Sequence, residues 1–160
     1  MTDLVALNSV CADTIEKLLD DAFGKDRMQR TAYLLRKAMP VIEHLSFAAA
    51  ENDCVIGSIQ CWPVAVADAP LILVGPVAVA PDRQGQGIGH SLMHASLAAL
   101  QPGDAPMVMI GDPEYYGRFG FDVGGTVGWT LPGPWEPRRL LLRNPKNMKL
   151  PESGMLGPRL

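Results

Sequence analysis

Residues 71–100, LILVGPVAVAPDRQGQGIGHSLMHASLAAL, constrain this chain more than any other stretch. Residues 71–79 are almost wholly apolar and rich in β-branched side chains, which predicts a strand covered on both faces. Pro81 and Asp82 end it, and Arg83-Gln84-Gly85-Gln86-Gly87-Ile88-Gly89 follows. From there the apolar period becomes helical, with Ile88, Leu92, Ala95 and Ala99 at i, i+4, i+7 and i+11. The first N–H groups of a helix have no internal partner, and the helix dipole makes that end positive. Glycines there let backbone approach a ligand closely, and Gly87 and Gly89 would otherwise be costly in a helix. The turn therefore suits an anion, most naturally a phosphate or pyrophosphate.

Three phosphate-binding patterns compete for this turn. A P-loop needs Lys and then Ser or Thr after its last glycine, but His90 and Ser91 follow Gly89. A dinucleotide fingerprint needs G-x-G-x-x-G directly after its strand. Here the spacing is G-x-G-x-G, and residues 81–84 intervene. The third pattern, Q/R-x-x-G-x-G/A after a V-x-V-x-P strand end, is met in full. Gln84-x-x-Gly87-x-Gly89 follows Val77-Ala78-Val79-Ala80-Pro81. This stretch resembles the acetyl-CoA motif of the GCN5-related N-acetyltransferases. A second block, Tyr115-Tyr116-Gly117-Arg118-Phe119-Gly120-Phe121, is similar to the family's Tyr, three variable residues, Gly-Phe, with Tyr116 as that Tyr. The wording of both blocks looks like one bacterial branch of acetyltransferases of unassigned substrate. The resemblance covers roughly residues 71–121; outside it only the element order agrees.

The resemblance implies an α/β fold: a mixed, mainly antiparallel sheet flanked by helices, with a splayed parallel strand pair at an acyl-CoA cleft. It implies acyl transfer, most simply of acetyl, from acetyl-CoA or another short acyl-CoA to an amine by direct attack. The acceptor is left open between a small molecule and a protein amine, and a homodimer is left open too. The pyrophosphate would lie on the turn formed by Arg83, Gln84, Gly85, Gln86, Gly87, Ile88 and Gly89. Backbone groups of Val77, Ala78 and Val79 would pair with the pantetheine arm and polarise the thioester carbonyl. Asp112 stands where many relatives carry an Asn on the cofactor arm, and Phe119 is counted with the cofactor-binding set. The resemblance implies that Tyr116 both touches the cofactor and protonates the departing thiolate, a role open to a phenol that is neutral at pH 7.

Each of these residues has a plainer reading. Tyr116 also reads as an amphipathic ring packed on the core, and Asp112 as a helix cap and nothing more. The strand before the glycine turn offers no carboxylate, so Glu43, His44, Glu51 and Glu114 stay equally open as the base that the amine needs. A non-catalytic acyl-CoA sensor and another kind of nucleotide-binding module are the rival functions. His90 and His94 share a helix face, but Ser91 replaces the Glu of a zinc-protease motif, so they read as a surface pair rather than metal ligands.

At 160 residues the chain predicts one domain spanning 1–160, with a tail from 144 to 160 that is either a covering strap or partly mobile. Net charge is −3 without a basic block, which gives nucleic acid no handle. No apolar run reaches membrane-span length, and the N-terminus lacks the order of a signal peptide, so a cytoplasmic protein is expected. Cys11, Cys54 and Cys61 are odd in number and lack metal spacing, so they read as reduced thiols.

Along the chain, residues 4–7 read as a short strand, and Asp13-Thr14-Ile15-Glu16 as a capping box opening a helix that ends near Gly24. Residues 30–38 read as a second helix limited by Pro40. Strands at 45–51 and 55–66 are joined by a tight turn, and 71–79 continues the meander. Pro63 and Pro76 each mark an edge or a bulge, because a proline cannot donate to a ladder. Residues 107–110 form a strand parallel to 71–79 through a right-handed crossover. Asp112-Pro113-Glu114 starts a brief helix that Gly120 stops, and 128–131 and 138–143 are further strand candidates.

Overall fold

The hydrophobic runs of this chain become strands and the 3.6-residue patterns become helices at nearly the places their periods set. A computed structural model describes residues 2–159; Met1 and Leu160, the ends of the expected domain, lie outside the described residues. The elements are β1 (Asp3–Ala6), α1 (Ala12–Phe23), α2 (Thr31–Leu34), β2 (Phe47–Glu51), β3 (Cys54–Val66), β4 (Ala69–Val79) and α3 (Ile88–Ala98). They continue with β5 (Met107–Ile110), α4 (Pro113–Tyr116), β6 (Trp129–Thr130), β7 (Leu140–Arg143) and β8 (Gly154–Pro158). The strands bond in the order β1-β2-β3-β4-β5-β7, with β8 on β3 and β6 on β8. The β4–β5 pair is parallel, with Ile72 opposite Met107 and Leu73 opposite Val108. A second parallel pair, β6 with β8, was not legible in the sequence.

The chain divides into two compact units. The first comprises Met1–Met28, Val41–Cys61 and Pro76–Pro102. Here β2 runs antiparallel to both β1 and β3, and a bulge falls between Ala49 and Ala50. Helix α1 buries Ile15, Leu18 and Leu19 against Leu7, Ala48 and Ala78. Each such aliphatic side chain contributes roughly 1.5–3 kcal/mol by leaving water. Helix α3 buries Ile88, Leu92, Met93 and Ser96, so its inner face carries a polar residue where Ala95 and Ala99 were expected. Ser96 is satisfied there by donating to the Leu45 carbonyl at 2.8 Å. Gly57 of β3 is what lets α3 lie close. A Cβ on it would sit 2.9 Å from Ile88 Cγ2, 3.1 Å from Leu92 Cδ1 and 3.1 Å from the Ala78 carbonyl oxygen.

The second unit comprises Gln29–Pro40, Trp62–Gly75 and Gly103–Leu160. β5 pairs antiparallel with β7, and β8 pairs antiparallel with β3 through Val64, Ala65 and Val66. The tail is therefore a strap over this part, with Leu156 fully buried. Pro63 sits just before that register. Its carbonyl accepts from the Arg159 N–H at 3.3 Å while its ring nitrogen has nothing to donate. Gly75 has φ +137°, a region closed to other residues, and its carbonyl takes the Trp62 indole N–H at 2.8 Å. The Gly75-Pro76 step is thus a real break in the regular strand.

Three local expectations need correction. The capping box is absent: Cys11 occupies the N-cap of α1 with no side-chain cap bond, and Asp13 lies inside the first turn. Glu16 instead joins Asp20 in holding the buried Arg27 guanidinium. The second helix is cut to Thr31–Leu34. Beyond it the bonds tighten to i→i+3, and Ala38 turns left-handed at φ +63° ahead of Pro40. The strand expected from 45 begins at Phe47, because Glu43–Leu45 is a 3-10 turn.

Candidate functional site

In the first unit, β4 delivers the chain into the turn and α3 leaves it. Gly85 and Gly87 have φ +82° and +80°, left-handed conformations that side chains resist, so both glycines are dictated by backbone geometry. Among the described residues beyond the adjoining chain, no atom lies within 4 Å of a Cβ built on either. Gln84, Gly85, Gln86 and Gly87 are exposed and Ile88 is buried, which anchors the turn at its helical end. Gly87 is the N-cap of α3, so no side chain caps the first-turn N–H groups, and the first turn carries no acidic residue. The helical ladder opens with Ser91 N–H donating to the Gly87 carbonyl at 3.0 Å. Three N–H positions precede it, at the positive end of the helix dipole. Gly89 differs from the other two glycines. Its backbone is ordinary, and a Cβ there would stand 3.8 Å from Val79 Cγ2 and 3.9 Å from Val77 Cγ1. Val77 and Val79 thus turn toward the start of α3, while Ala78 packs in the α1 core.

Arg83, expected among the cofactor contacts, is tied back into the protein. It donates to Glu51 Oε2 at 2.6 Å and to Gln86 Oε1 at 3.2 Å. Glu51 belongs to β2, so this ion pair ties the turn to the β2–β3 hairpin, a link with no sequence signal. The guanidinium also holds the Glu51 carboxyl below its ordinary pKa.

In the second unit, β5 runs into Gly111 and Asp112. Asp112 takes the N-cap position of α4 as expected, but its side chain makes no cap bond. Its Oδ1 lies 3.3 Å from Arg139 Nε instead. Tyr115 meets Tyr116 edge to face at 4.9 Å, and Phe119, buried, lies 5.8 Å from Tyr115 and 6.3 Å from Tyr116 between centroids. Phe119 is therefore part of the aromatic floor beside the tyrosines. Burial, more than the neighbouring Tyr115 and Asp112, pushes the Tyr116 phenol above its usual pKa against the smaller opposing pull of Arg139. It stays protonated throughout the neutral range.

Three of the four candidate bases are engaged by other side chains. Glu51 is paired with Arg83, Glu114 with Arg138, and Glu43 accepts from Asn8 at 3.1 Å. The Glu114 carboxyl is lowered first by its own backbone N–H and then by Arg138. A depressed carboxylate is a weaker proton acceptor. His90 and His94 are exposed with Nε2 atoms 2.9 Å apart, and no group of three metal-type ligands occurs among the described residues.

The model of the acetyltransferase (GNAT) domain matches residues 43–123. An uncharacterised N-acetyltransferase of Escherichia coli K12, YhbS, is 34% identical over 115 residues, covering 70% of this chain and 68% of the relative. The chain belongs to the GNAT family of acetyltransferases. Its fold is the family's: the crystal structure of E. coli YhbS in complex with CoA superposes with TM-score 0.73, at 22% identity, over 99% of this chain and 89% of that one. A GNAT acetyltransferase from Brucella melitensis in complex with acetyl-CoA is 27% identical, with TM-score 0.58, over 91% of this chain and 97% of that one. Among the described residues no helix is long and apolar enough to cross a membrane.

Proposed function

We propose that this chain transfers an acyl group, most simply acetyl, from acyl-CoA to an amine, as an N-acyltransferase. The observation that carries the reading is the uncapped, exposed start of α3. Its two left-handed glycines have open space where side chains would stand, inside the segment that matches the GNAT domain. An anion suits such a site: the donors are backbone N–H groups, and no carboxylate lies in the first turn to repel it. The relatives whose structures hold CoA and acetyl-CoA support the same ligand. When bound, acyl-CoA supplies the reactive thioester. Residues 84–89 hold the diphosphate, and Arg83 acts from behind through Glu51 to keep the turn in place. Backbone groups of Val77, Ala78 and Val79 are assigned to the pantetheine arm, and Asp112 and Phe119 of the second unit are assigned to the cofactor as well. Tyr116 gives its Oη proton to the departing thiolate, and its high pKa keeps that proton in place until then. Cys11, Cys54 and Cys61, none of them in a disulfide among the described residues, support a reducing, cytoplasmic setting.

Calorimetry with CoA tests the binding half: Gly87→Glu and Gly89→Glu each put volume and negative charge into the anion site and should abolish binding. Thiol release from acetyl-CoA with an α-amino acid, a polyamine and a lysine peptide tests the transfer half. The engagement of Glu51 and Glu114 in ion pairs favours a second reading, a non-catalytic acyl-CoA sensor. CoA binding without thiol release on any of these amines selects it.

A further inference from the structure

We propose that Gly111 is the positioning residue for Tyr116: a bare backbone at the end of β5 is the seat on which the phenol ring lies. The inference rests on the acid role given to Tyr116 above. A Cβ built on Gly111 falls 2.7 Å from both Tyr116 Cδ2 and Cε2, inside the distance any real carbon contact allows. The next nearest atom is Met109 Cε, at 3.4 Å, the end of a flexible side chain. Gly111 has no left-handed φ, unlike Gly120 a few residues on, so its backbone conformation does not ask for glycine. What forbids a side chain there is the ring.

The seat is fixed from behind. The Gly111 N–H donates to the Arg139 carbonyl at 2.9 Å, continuing the β5–β7 pairing past its last register position at Ile110 and Leu140. Asp112 then opens α4, and both the Tyr115 and Tyr116 N–H groups bond its carbonyl, at 3.1 and 2.9 Å. The six residues from Gly111 to Tyr116 thus run from seat to ring with the backbone held at both ends. Tyr115 closes the ring from its edge, and the groups of other charge around it are Asp112 and Arg139. With the ring on its seat the phenol is desolvated, consistent with its raised pKa. A methyl at position 111 pushes the ring off and outward, while the glycine turn, on different elements, is untouched.

The experiment compares Gly111→Ala, Tyr116→Phe and the double variant in CoA calorimetry, acetyl-CoA thiol release with the three amines above, and ultraviolet tyrosinate titration. Gly111→Ala should lower kcat by roughly 10–100-fold, the scale of a misplaced acid, with CoA affinity within about 2-fold of wild type. Gly111→Ala/Tyr116→Phe should be no slower than Tyr116→Phe alone. The tyrosinate signal missing from the Tyr116→Phe protein should titrate at lower pH in Gly111→Ala, as the phenol reaches water. Unchanged kcat and titration in Gly111→Ala, beside an impaired Tyr116→Phe, overturn the seat and leave the acid role standing. Unimpaired Tyr116→Phe overturns the acid role, and the seat's purpose with it. Should Gly111→Ala fold poorly, Gly111→Ala/Tyr116→Ala decides: recovery of its melting temperature supports a ring-specific clash, and no recovery refutes it.

Discussion

Gly89→Ala separates what the fold wants from what the ligand wants, and the two pull in opposite directions. Gly89 is the second residue of α3 and has ordinary helical backbone. The added methyl would meet Val79 and Val77 at 3.8 and 3.9 Å, which is normal van der Waals contact and no clash. Replacing a helical glycine by alanine removes backbone entropy from the unfolded chain, a gain of about 0.5–1 kcal/mol. For a chain of this size that is a rise in Tm of roughly 1–4 °C. In the proposed complex the same methyl also narrows the turn assigned to the diphosphate. Keeping the ligand one carbon further from the N–H groups should weaken CoA by at least ~10-fold, about 1.4 kcal/mol. Differential scanning fluorimetry on the free protein and calorimetry with CoA read the two quantities independently. Gly87→Ala is the internal contrast: at φ +80° any side chain is strained by about 1–2 kcal/mol, so its Tm should fall. A lower Tm for Gly89→Ala, or unaltered CoA affinity, would refute the claim that this glycine is kept for a ligand.

Tyr116→Phe should lower kcat by ~10²-fold or more with CoA affinity near normal, and should abolish the alkaline fall in rate that deprotonation of a phenol imposes; thiol-release rates from pH 7 upward check both. Glu51→Gln removes a carboxylate whose pKa Arg83 lowers from 4.5. The stability this pair contributes is present above the ordinary carboxylate range and is lost as acid takes the folded protein through its depressed value. The variant should therefore melt lower than wild type at pH 7 and converge with it in acid, and should bind CoA more weakly as the turn loosens. Gly128→Ala should detach the C-terminal strap. A Cβ there would stand 1.8 Å from the Glu152 carbonyl oxygen, which backbone alone must relieve; accelerated amide exchange confined to β6 and β8 would show it.

The glycine turn, its strand and its helix were legible in sequence because each is a local matter. A run of β-branched residues, two glycines at left-handed positions and a 3.6-residue period all act within a few residues of one another. The parallel crossover followed from handedness, and the family from motif spacing. The tertiary structure decided what depends on partners far along the chain. Asp13 lost the N-cap to Cys11, and Glu16 went to Arg27. Arg83 was claimed by Glu51, 32 positions earlier, and Asp112 by Arg139. Ser96 replaced alanine on the inner face of α3 because the Leu45 carbonyl was there to receive it. Gly111 carries no local sequence signal, and only the folded ring of Tyr116 shows why nothing larger stands there. Backbone conformation is written locally and can be read from the chain, whereas the partner of a charge or a ring is chosen by whatever surface the rest of the fold brings against it.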